Sequence, residues 1–187
     1  MIRSLAAALS ALVMMAGLAV SAHADTTPVS GTLTGNTTLT PTSNPAVFDS
    51  SFTGSGIDSV FGAFTTTNTG TLTFTSLTTF ITGGTFMDVL AGGTLFGTFS
   101  GMGSTTATGS ESTTVDIFTG GTGAFAGDTG EATVTGTGTP TGTFTSAFSG
   151  TYTGFITTPE PSSLVLILAG IGLLPSMRKR LGGRPTL

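Results

Sequence analysis

Between residues 25 and 158, hydrophobic and hydroxyl-bearing positions alternate with a period of two. In the clearest run, Gly142, Phe144, Ser146, Phe148, Gly150 and Tyr152 hold one parity, and Thr143, Thr145, Ala147, Ser149, Thr151 and Thr153 hold the other. Leu72, Phe74 and Ser76 oppose Thr71, Thr73 and Thr75 in the same way, and Phe48, Ser50 and Phe52 repeat the pattern. Successive side chains of a strand point to opposite faces, so this period predicts strands with a covered face of phenylalanine and small residues and an exposed threonine face. Strands are expected near 29–40, 45–53, 57–67, 70–80, 85–90, 94–102, 113–119, 130–137, 141–149 and 150–157. No stretch of the domain has helical periodicity with caps, and glycine would cost a helix about 1 kcal/mol per residue.

Many short strands with turn signals between them predict an all-β domain, a Thr/Gly-rich antiparallel β-barrel with a β-sandwich as the alternative. Closure is favoured because open edges on threonine strands without Lys or Pro would invite edge-to-edge aggregation. Composition alone offers two rivals, a glycosylated disordered stalk and a repetitive fibre, since 42 Thr, 19 Ser and 29 Gly make up nearly half of the 187 residues. The aromatic residues argue against both. All 14 Phe and the single Tyr fall within residues 25–158, whereas disordered tracts are poor in such residues.

The charges sort just as unevenly. The five basic residues lie at the ends (Arg3, Arg178, Lys179, Arg180 and Arg184), and the one histidine, His23, is in the N-terminal leader. Residues 25–158 hold no Lys, Arg, His or Cys. They carry eight carboxylates: Asp25, Asp49, Asp58, Asp88, Glu111, Asp116, Asp128 and Glu131. Nucleic acid is excluded as a partner, because affinity for phosphate backbones comes from Lys and Arg displacing counterions. Disulfides and Cys/His zinc sites are excluded because the sulfur and imidazole ligands are absent.

Both ends read as addresses. Arg3, the apolar run Leu5 to Val20 and the small residues Ala22 and Ala24 form a signal peptide over residues 1–24, with cleavage by signal peptidase expected after Ala24. A retained anchor is the alternative, but the run is shorter than the ~20 residues a span needs. At the other end, Pro159-Glu160-Pro161 precedes an apolar stretch, Leu164 to Leu174, and then the basic cluster Arg178, Lys179 and Arg180. This is a stop-transfer arrangement in which the cluster stays cytoplasmic. The short helix would hold the exported domain outside the membrane before processing.

This tripartite end resembles the PEP-CTERM sorting signal over residues 158–187, with Pro159, Glu160 and Pro161 as the processing motif and the basic cluster as the retention element. The resemblance implies recognition near Pro159-Glu160-Pro161 by an exosortase, a membrane-embedded cysteine peptidase or transpeptidase of Gram-negative bacteria. It also implies a cell-surface or extracellular destination, with exopolysaccharide as a candidate partner. The exported domain then comprises residues 25–157.

Within that domain, Gly120-Gly121-Thr122-Gly123-Ala124-Phe125-Ala126-Gly127-Asp128-Thr129-Gly130 has the most individual sequence. It lacks the Lys and following helix of a phosphate-binding loop. It is expected to be a turn in which Gly supplies positive φ and Phe125 tucks inward. The stretch Val115 to Gly136 resembles the strand, Gly-rich turn and strand of the allene oxide cyclase and dirigent β-barrel families, which implies a barrel able to bind or convert an apolar ligand.

Candidate chemistry is sparse. Without His or Lys the hydroxyls have no base to activate them, and no catalytic residue, cofactor or metal ligand is assigned. The carboxylate pairs Asp128 with Glu131 and Glu111 with Asp116 are conceivable glycosidase-like or calcium-binding groups. They are expected instead beside turns or on threonine faces, hydrated and ionised. The leading expectation is a non-enzymatic surface or matrix protein with a structural or interaction domain, and the alternative is a ligand-binding barrel. The interior decides between them: complete filling means scaffold, and an apolar cavity of ~300 Å³ or more with a few polar groups means a ligand site.

Overall fold

A computed structural model describes residues 24–159. Eight antiparallel strands follow one another: β1 (Asp25–Pro41), β2 (Val47–Asp58), β3 (Gly62–Phe74), β4 (Thr79–Leu90), β5 (Gly93–Thr105), β6 (Ser110–Gly121), β7 (Thr129–Pro140) and β8 (Thr145–Thr158). Each pairs with its neighbour in sequence, and the sheet closes on itself as a barrel, not a sandwich. At the seam the Leu39 N–H donates to the Phe144 carbonyl at 2.8 Å, and the Thr26 and Thr157 hydroxyls lie 3.3 Å apart. Closure leaves every strand paired on both sides, which removes the exposed edges that threonine-rich strands could not protect.

The period-two pattern places the faces as expected. Phe52, Phe64, Phe86, Leu95, Phe118, Val134 and Ile156 are buried inside the barrel, while threonines of the opposite parity, such as Thr65, Thr67, Thr98 and Thr153, are exposed. Strand number is a correction, eight instead of ten. The break expected at residues 68–69 lies inside β3 and the one at 149–150 inside β8, whereas the expected strand 70–80 is cut by a turn at 75–78. Glycine caused the misreading. Gly150 is not a turn residue but a floor for an aromatic ring: a Cβ there would sit 2.9 Å from Cζ of Phe148.

The barrel has two unlike poles. The turns at 42–46, 75–78, 106–109 and 141–144 surround one of them. The opposite pole carries the turns at 59–61, 91–92 and 122–128 together with the first residue of β1 and the last of β8. A 3-10 turn, Gly123–Phe125, closes this second pole. Gly123 and Gly127 take φ of 63° and 85°, conformations costly for any residue with a Cβ. Between them Phe125 turns inward, 6% exposed, and meets Phe61 edge-on at 5.2 Å.

Among the described residues, no helix is long and apolar enough to cross a membrane. The signal peptide expected up to Ala22 and the apolar and basic parts of the sorting signal lie outside the described residues. Ala24 directly precedes β1, and Pro159 directly follows β8.

Candidate functional site: a mouth cavity above an acidic floor

Aromatic rings fill the barrel in tiers. Near the closed pole Phe86 and Phe118 meet edge to face at 5.3 Å, and Leu90, Leu95 and Ile156 are buried around them. Only about 40 Å³ of space remains in this half. The other half is hollow. A cavity of about 360 Å³ opens among the turns of the first pole, lined by Phe52, Phe74, Phe80, Phe99, Phe144 and Phe148 with Leu33, Leu39 and Leu72. The difference has a plain origin in the sequence. Around the cavity many inward positions carry small or hydroxyl side chains, among them Ser50, Thr82, Ser112, Thr114, Gly138 and Ser146, so space remains between the rings that no large side chain fills.

The rings at the mouth form a connected arc. Phe48 meets Phe74 at 5.9 Å and Phe144 at 6.2 Å, and Phe74 meets Phe80 at 6.0 Å. Phe144, expected on the covered face, is 43% exposed because it sits in the turn before β8. It forms part of the rim of the cavity.

Below the cavity the interior turns polar. Asp116 on β6 and Asn68 on β3 line both the cavity and the smaller space beneath it, where Asp88 of β4, Thr66 and Tyr152 also lie. Thr114 donates its hydroxyl to Asp116 Oδ1 at 3.3 Å, and Thr66 donates its hydroxyl to Asn68 Oδ1 at 3.0 Å. Burial pushes the Asp88 carboxyl from its ordinary 3.8 up to about 6. Burial first, and then the negative charge of Asp88, push Asp116 up to about 7. Among the described residues neither has a cationic partner, since residues 25–158 contain no Lys, Arg or His.

The third interior carboxylate is bound differently. Asp58, at the end of β2, accepts the Val60 and Phe61 N–H groups at Oδ1 (2.7 and 2.8 Å) and the Tyr152 hydroxyl at Oδ2 (2.6 Å). Tyr152 of β8 reaches Asp58 by crossing over Gly31 of β1, where a Cβ would lie 2.7 Å from the phenol oxygen. Burial and then this bond raise the Tyr152 pKa. The three residues strap the seam strands β8, β1 and β2 together from the inside.

The expected solvent-facing setting of the carboxylates holds for Asp49, Glu111 and Glu131, which are exposed. It is wrong for Asp116 and Asp128. Asp116 shares its parity with Phe118 and points inward. Asp128 lies beneath a thin cover at the closed pole, 2% exposed, with Oδ1 lacking a hydrogen-bond partner and its pKa raised by burial against a bond from Thr158.

Neither carboxylate pair considered from sequence is assembled. Glu111 and Asp116 face opposite sides of β6, and Glu131 faces outward while Asp128 is buried. Asp88 and Asp116 come together instead, a pairing that sequence separation hid. Among the described residues, no three carboxylates cluster in a way that could hold a metal ion. Of the processing residues, Ala24 and Pro159 flank the barrel at its ends, and Ala22, Glu160, Pro161, Arg178, Lys179 and Arg180 lie outside the described residues.

No family model, curated protein or solved structure matches this chain.

Proposed function

We propose that this chain is an exported surface protein, released from its membrane-held precursor at the PEP-CTERM-like signal, whose barrel binds a small, largely apolar molecule in its mouth cavity. The observation that carries the binding reading is the cavity of about 360 Å³, walled by six phenylalanines with serine and threonine hydroxyls between them, above the acidic floor. A filled barrel would have favoured a pure scaffold. This volume falls in the range of small-molecule sites, roughly 300 to 1,000 Å³. The likeness of residues 115–136 to cyclase and dirigent barrels points the same way.

Export and sorting rest on the two ends of the sequence. Their support from the fold is positional: β1 starts at the residue after the proposed signal peptidase site, and β8 stops just before Pro159. Both processing events would therefore cut outside the barrel's hydrogen bonding. Within the barrel, β1 begins and β8 ends at the pole opposite the cavity. The role is binding without turnover, in the envelope or the extracellular polymer.

Two measurements test this. Intact mass and N-terminal sequencing of the surface fraction should give a chain beginning at Asp25 and ending near Pro159 to Pro161, and an unprocessed tail in a host with the sorting enzyme would defeat the sorting reading. Calorimetric titration of the full-length protein with octanol should show saturable binding. Binding should be lost in Ser50→Trp, which fills the cavity, and kept in Thr53→Trp, which faces solvent. Octanol binding that survives Ser50→Trp, or none in the parent protein, would refute a cavity site.

A further inference from the structure

We infer that the molecule held in the mouth cavity is an organic cation, an ammonium-bearing compound whose apolar body lies among the phenylalanines and whose charged head reaches Asp116 and Asp88. This rests on the binding reading above and specifies its ligand class. Three independent features of the site converge on it.

The first is the cavity wall. Aromatic faces carry negative potential, and an ammonium group within about 6 Å of a ring centre is attracted to it. Phe52, Phe99 and Phe148 stand between the rim and the polar floor, and Phe52 and Phe148 are set edge to face at 5.7 Å. A cation in the cavity thus lies among aromatic rings and hydroxyl oxygens.

The second is the floor. Asp116 reaches the cavity with one hydroxyl donor, Thr114, on one of its two oxygens, and an ionised carboxylate can accept about four hydrogen bonds. Acceptor capacity therefore remains where the ligand head would end. Asp88, on the other side of β5 from Asp116, lines the space just beneath the cavity together with Asp116 and adds a second negative group that acts on it.

The third is the lack of any internal counter-charge. Every ionisable side chain facing the interior is acidic or phenolic: Asp58 from β2, Asp88 from β4, Asp116 from β6, Tyr152 from β8, and Asp128 at the closed pole. The inward faces of β1, β3, β5 and β7 bring none. Asp58 is already satisfied by two N–H groups and the Tyr152 hydroxyl. Asp88 and Asp116 are left as two like charges in an apolar barrel, an arrangement that costs stability unless a proton or a cation joins them. An anionic ligand would add a third negative charge, and a neutral one would relieve nothing. An ammonium head supplies the missing charge.

Cation binding must then displace the protons that these carboxyls retain near neutral pH. Affinity for a permanently charged ammonium should accordingly rise as pH goes from 5 to 8, while affinity for a neutral analogue should not.

The test uses three ligands with the same tail, octylammonium, octanol and octanoate, titrated into the full-length protein at pH 5, 6, 7 and 8, with octyltrimethylammonium added as a headgroup of the lipid type. At pH 8 octylammonium should bind at least about tenfold more tightly than octanol, the scale of a charge-assisted contact, and octanoate should bind most weakly. Asp116→Asn should abolish the preference, so that octylammonium and octanol bind this variant alike, and circular dichroism checks that the barrel is intact. Preference for octyltrimethylammonium over octylammonium would assign the site to quaternary lipid-like heads, and the reverse order to simple amines. Octanol binding without preference for the ammonium, or a preference that does not grow with pH, overturns the cation inference and leaves the cavity reading standing. Failure of all four ligands overturns both.

Discussion

Raising the pH from 5 to 8 should destabilise the empty barrel, the reverse of the acid sensitivity usual for a carboxylate-rich protein. In the folded state Asp116 is raised from 3.8 to about 7 and Asp88 to about 6, chiefly by burial. In the unfolded chain both return to about 3.9. Above pH 5 the unfolded chain has released these protons while the folded barrel still holds them. The folded state therefore binds more protons, and stability falls as pH climbs until each folded value is passed. At about 1.4 kcal/mol per proton and pH unit, and with each group half titrated at its folded value, Asp116 accounts for roughly 2 kcal/mol between pH 5 and 7, and Asp88 for roughly 1 kcal/mol between pH 5 and 6. Asp128, also raised by burial, acts in the same direction. Urea denaturation of the full-length protein, followed by the near-UV circular dichroism of the stacked rings, should show the midpoint falling across this range. Asp116→Asn should remove most of the slope and make the protein more stable than its parent at pH 8. A midpoint that is flat or rises from pH 5 to 8 would mean that water reaches both carboxyls freely and that the floor is not desolvated.

Two further predictions concern the tiers and the strap. Phe118→Ala, which empties half of a buried ring pair, should cost about 3 to 5 kcal/mol, the outward Thr98→Ala about 0.5 kcal/mol or less, and the half-exposed rim residue Phe144→Ala an intermediate 1 to 2 kcal/mol or so. Equal losses at all three in urea titrations would contradict the assignment of faces. Tyr152→Phe removes the 2.6 Å bond to Asp58 across the seam and should cost about 1 to 3 kcal/mol, because a buried carboxylate oxygen loses its donor. Amide hydrogen exchange should then quicken first in β1 and β8, and uniform quickening would argue against a strap local to the seam.

The strand class and its faces were legible because phenylalanine and threonine alternate so strictly that one parity must be covered. Strand number was not, because glycine serves two purposes that look identical in sequence. At Gly123 and Gly127 it makes a turn, as the motif around Phe125 predicts. At Gly31 and Gly150 it makes room inside a strand for Tyr152 and Phe148. The acidic floor was hidden by a related ambiguity. Asp58, Asp88 and Asp116 each share the parity of a buried phenylalanine: Phe52, Phe86 and Phe118. Parity alone placed them inward, yet the expectation that carboxylates stay in water assigned Asp116 to the surface. That expectation fails in a closed barrel whose large and small inward residues are unevenly distributed. Where rings interlock, as around Phe86 and Phe118, the interior is full. Where serine, threonine and glycine intervene, it is hollow, and a carboxylate at the boundary can be desolvated on one side and reachable on the other. Asp88 and Asp116 have no cationic partner among the described residues, and the same distribution that hollows the barrel above them left the space through which one could enter.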